Sequence, residues 1–152
     1  MTAPLGAEHV AALKAFLTGD DVVFEGIGAL LDEDGSWQAY GLLQAAALTV
    51  AARRRFPGGY AAGEVIRLVG RTRAALHDND GQIDPRTAER VLRGVLSDPA
   101  CVGGLDQDAV ALATTALLKA LIFEEGMSGP GLDGLLAESW DEARRAALSA
   151  SS

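Results

Sequence analysis

The sequence predicts an all-α protein, an irregular bundle of about six to seven short helices around a central apolar helix. Three observations carry this. Ala and Leu supply most of a hydrophobic content of 49%, with only 5% aromatic residues, and both lose little entropy on entering a helix. Apolar residues recur at helical spacing in one segment after another. No segment sustains the alternation of a strand. The 152 residues fit one domain, read as residues 1–152 with short flexible termini.

The first helix is expected over about Ala7 to Leu17, with Val10, Leu13, Phe16 and Leu17 on one face, and Gly19 ends it. Asp20 or Asp21 can cap a second helix to Leu31, whose expected buried stripe is Val23, Ile27, Leu30 and Leu31. The turn Asp32-Glu33-Asp34-Gly35 follows, and Ser36 is a plausible cap for the third helix. That helix runs to about Phe56 and is apolar almost all round, through Trp37, Tyr40, Leu42, Leu43, Ala47 and Val50. A helix of that kind belongs at the centre of a bundle. Pro57-Gly58-Gly59 stops it.

The fourth helix spans about Ala61 to Leu76, with Val65, Leu68, Val69, Thr72 and Leu76 facing inward. Asp84-Pro85 is a start signal for the fifth, because the carboxylate accepts orphan amides and proline tolerates the first position. Ala88, Val91, Leu92 and Val95 form its apolar face. A sixth helix starts near Asp106, with Leu105 and Val110 spaced as a staple, and reaches about Phe123. Gly126 to Gly131 breaks the chain again. The seventh helix covers Leu132 to about Leu148, and Ser139-Trp140-Asp141-Glu142 resembles a capping box that would divide it in two.

Few residues group as chemistry requires. Asp32-Glu33-Asp34-Gly35 and Asp78-Asn79-Asp80-Gly81 resemble the middle of an EF-hand loop. With each glycine at the sixth position, the first ligand becomes Leu30 or Leu76 and the twelfth Gly41 or Thr87, so both read as turns. His9 and His77 stand apart, and Cys101 has no second cysteine. Glu124-Glu125 lacks a companion histidine and reads as a solvated helix end. Gly126-Met127-Ser128-Gly129-Pro130 has proline where a nucleophile elbow needs glycine. No metal site, no catalytic residue and no cofactor is assigned.

Charge is the more informative pattern. The net charge is -8, yet residues 53–93 hold nine arginines against five acids. Arg67 and Arg71 share one face of the fourth helix, and Arg86 and Arg90 one face of the fifth. These four are the candidate interaction or anion-binding residues, with Tyr60 and Glu64 as a candidate pocket beside them. The competing account is internal pairing of the arginines with acidic helices. Total charge and the lack of interleaved aromatics disfavour nucleic acid. The longest apolar run is too short to span a membrane. The N-terminus lacks an export signal, so a cytoplasmic location is expected. The expected function is a small protein-interaction or regulatory module without catalysis, meeting a second copy of itself or an acidic partner. The alternatives are a small-molecule or anion-binding protein or enzyme with a site near Tyr60, Glu64, Arg67 and Arg71, and a weak nucleic-acid binder through the arginine segment.

Overall fold

A computed structural model describes residues 6–34, 37–75, 83–97, 103–127 and 129–151. Among them it shows an all-α protein of seven helices and no strand: α1 (Ala7–Thr18), α2 (Asp21–Asp34), α3 (Trp37–Arg55), α4 (Ala62–Ala75), α5 (Pro85–Leu96), α6 (Gln107–Glu124) and α7 (Gly129–Ser151). No helix among the described residues is long and apolar enough to cross a membrane. The expected Ser36 cap, the Asp78–Gly81 turn, His77, Cys101 and Ser128 lie outside the described residues, as do the side chains of Asp32, Asp34 and Trp37.

The chain divides into two compact units, Met1–Val50 with Gly126–Ser152, and Ala51–Glu125. The division falls inside α3, which is central in that both units draw on it. Leu43, Ala46, Ala47, Leu48, Ala51 and Ala52 are all buried, around most of the helix circumference.

In the first unit α1 packs against α2 and α7. Three rings tie α1, α2 and α3 together. Phe16 and Phe24 lie 5.8 Å apart between centroids, and Phe24 meets Tyr40 edge-on at 6.2 Å, a geometry that suits ring quadrupoles. This contact sets the rotation of α2. Phe24 and Gly28 turn inward, and Val23, expected in the buried stripe, is 44% exposed. The helix also runs on through Asp32-Glu33-Asp34, past its expected end at Leu31.

His9 is fully buried near the start of α1. Its Nδ1 accepts the Gly6 N–H at 2.8 Å, the task a capping-box glutamate performs from the same position. Nδ1 is therefore bare, and the 3.8 Å approach of the Glu8 carboxylate to it is not an ion pair.

α7 corrects two expectations. It starts at Gly129, three residues early, because glycine and proline in a first turn sacrifice no intrahelical hydrogen bond. It is also unbroken at Ser139. That side chain is buried, and its hydroxyl donates to the Leu135 carbonyl at 2.7 Å, so it satisfies itself within the helix.

In the second unit α4, α5 and α6 pack on one another. Val65, Leu68, Val69 and Thr72 are buried along α4, as are Ala88, Val91 and Leu92 along α5. The Asp84 carboxylate accepts the Thr87 N–H at 3.1 Å, with Pro85 in the first turn. The Asp106 carboxylate accepts the Ala109 N–H at 3.1 Å and starts α6.

Candidate functional site

All four candidate arginines are exposed, but they do not converge. On α4, Arg71 reaches Glu124 at the end of α6, with Nε 2.5 Å from Oε1 and Nη2 3.4 Å from Oε2. That hydrogen bond raises the guanidinium pKa above its ordinary value and so holds the charge. On α5, Arg90 donates to the Gly103 carbonyl at 3.0 Å, just before α6 begins. These anchor points flank α6, whose 18 residues separate them by roughly 25 Å at 1.5 Å per residue.

The Tyr60 hydroxyl is within 3.0 Å of the Ser97 hydroxyl, and Glu64 is an exposed residue in the first turn of α4. Tyr60 and Arg71 thus serve different partners, and Tyr60, Glu64, Arg67 and Arg71 do not converge on one anion site.

Glu124 and Glu125 are more than a solvated helix end. Arg71 holds the first, and Arg55 of α3 lies 3.7 Å from the second. The Arg55 guanidinium also sits 5.1 Å from the centroid of the Phe56 ring. Part of the arginine charge is therefore consumed internally, by acids of the same unit.

Arg67 and Arg86 differ. Neither makes a side-chain hydrogen bond or ion pair among the described residues. Arg67 lies over Gly63, its Nη1 atom 3.6 Å from where a β-carbon would stand. Next to it Ile66 is 52% exposed, and Gly70 faces open space. Gly63, Ile66, Arg67 and Gly70 fall at helical spacing on one side of α4. The result is a low face with one apolar side chain and one cation standing on it.

A second feature had no sequence signal. In the first unit α1 and α7 border a groove of about 570 Å³. Ala7, Val10 and Ala11 form one wall, and Leu136, Ala137 and Trp140 the other. Lys14 and Asp133 close one end, Nζ to Oδ1 at 2.7 Å, and Asp141 lines the other end. Only the pairing of α1 with α7 makes this groove, and nothing local in either segment announces it.

The described residues hold no group of three or more His, Cys, Asp or Glu placed to bind a metal ion. Comparison of the chain with protein families, with curated proteins and with solved structures finds no match.

Proposed function

We propose that this chain is a protein-interaction module, without catalysis of its own, that meets an acidic partner through the outer face of α4. The observation that supports it is Ile66, 52% exposed, beside an Arg67 with no partner among the described residues. Arginine is enriched at protein interfaces, where its planar guanidinium pairs directionally, and an exposed apolar side chain beside it adds area to bury. Gly70, which faces open space, lets another backbone come close. Arg86 on α5 adds a second cation without a partner among the described residues. Arg71 is set aside from this surface because Glu124 holds it.

The test is capture from extracts of the cells that make the protein, with immobilised native chain and an Ile66→Asp, Arg67→Glu variant. Both substitutions fall at exposed positions and leave the core intact. Proteins held by the native chain and lost by the variant are the expected result. Equal capture by the two chains, or none by either, rejects the α4 face as an interaction surface.

A further inference from the structure

We propose that the partner of the α4 face is a second copy of this chain, and that it seats α4 in the groove between α1 and α7. The inference rests on the interaction reading above and specifies its partner.

Shape is the first argument. The groove has alanines on both walls, Ala7 and Ala11 on α1 and Ala137 on α7, so a helix backbone can sink between them. From Asp133 to Asp141 it runs eight residues along α7, roughly 12 Å at the helical rise. The α4 face from Gly63 to Gly70 spans seven residues, roughly 10 Å by the same measure. Ile66, one turn before the open Gly70, supplies a knob for the apolar side chains Val10, Leu136 and Trp140 of the two walls. This is the helix-in-groove mode of recognition, with one anchor and small neighbours.

Charge is the second argument, and it selects the occupant. The unit that contains the groove has 11 acidic and three basic residues, whereas the unit that contains α4 has ten of each. At the lining Asp133 is taken by Lys14, while Asp141 has no side-chain partner among the described residues. An Arg67 one position from the seated Ile66 would meet Asp141. Each surface thus lacks what the other offers, an apolar knob with a cation against an apolar floor with a carboxylate.

Groove and knob are different surfaces, so the contact is heterologous. Each copy keeps a free knob and a free groove after one contact, so two copies can close reciprocally into a twofold dimer, or assembly continues to a larger ring or an open chain. That property gives the test. Ala137→Arg fills the groove and repels Arg67; Ile66→Asp removes the knob. Both positions are exposed, and circular dichroism checks that each variant folds. Ala11→Arg blocks the opposite wall if Ala137→Arg fails to fold.

Sedimentation velocity of the native chain should show dimers or larger species whose share grows with concentration and shrinks with salt. Each variant alone should be monomeric. An equimolar mixture should form a dimer and nothing larger, because one good groove and one good knob remain. A native chain that is monomeric at every accessible concentration overturns the proposal, as does a variant that still assembles alone. A native chain that assembles while the mixture stays monomeric overturns the groove–knob pairing. In each case the capture experiment, which reads any partner, decides separately whether the α4 face binds protein at all.

Discussion

Arg71 and Glu124, 53 residues apart in sequence, face each other through both carboxylate oxygens and join α4 to the end of α6. The contact is half exposed on the arginine side, so solvent screens it. A double-mutant cycle with Arg71→Ala and Glu124→Ala should return a coupling of about 0.2–1 kcal/mol, smaller at high salt. Zero coupling in low-salt chemical denaturation would show that the pair contributes nothing to folding.

Leu43 is fully buried in α3. Leu43→Ala should lose about 2–5 kcal/mol, the transfer of the lost carbons plus the cavity they leave. Leu42, one position on, is 37% exposed, and Leu42→Ala should cost well under half as much. Equal losses in urea unfolding would mean that the helix is rotated from the orientation described.

Burial pushes the Tyr40 phenol up to about 12. The group is neutral below that value, and the unfolded chain ionises near 10. The native state therefore binds the extra proton between the two, and stability falls as pH rises through that window. The contribution is complete below about pH 10 and declines by on the order of 2 kcal/mol toward pH 12. Chemical unfolding at stepped pH should show this decline in the native chain and not in Tyr40→Phe. Parallel curves for the two proteins would remove Tyr40 as the cause.

Because the His9 Nδ1 accepts the Gly6 N–H, the neutral ring must carry its proton on Nε2, and that buried nitrogen has no partner among the described residues. Nitrogen-15 correlation spectra should show the Nε2–H tautomer. His9→Ala should destabilise by about 1–3 kcal/mol, since the Gly6 amide loses its acceptor and the core loses a ring. A spectrum of the Nδ1–H form would refute the cap.

What the sequence made legible was set by local physics. Asp84-Pro85 and Asp106 started helices because capping needs only the next three residues. The inward stripe of α4 was readable because Val65, Leu68, Val69 and Thr72 repeat at the helical period. Val23 was misplaced because the rotation of α2 depends on Phe24 meeting Phe16 and Tyr40, a relation across three helices. The arginines were legible as a charge excess, but their division into held and uncommitted was not. Glu124 takes Arg71 and leaves Arg67, one turn away, without a partner among the described residues, and the packing of α4 on α6 decides that. The groove was illegible for the same reason, since its walls come from opposite ends of the chain.

The buried alanines of α3 also constrain how this gene can change. Ala39, Ala46, Ala47, Ala51 and Ala52 have next to no free surface. A single-base change in an alanine codon gives Val, Thr, Ser, Pro, Asp, Glu or Gly. All but glycine are larger, and glycine and proline both weaken a helix. Where the site is already filled, added volume forces strain. Every amino-acid change that one base can make at these five codons is therefore an enlargement or a helix breaker, and tolerated variation should avoid these five positions of α3 and collect at exposed ones such as Val22 and Val23 of α2.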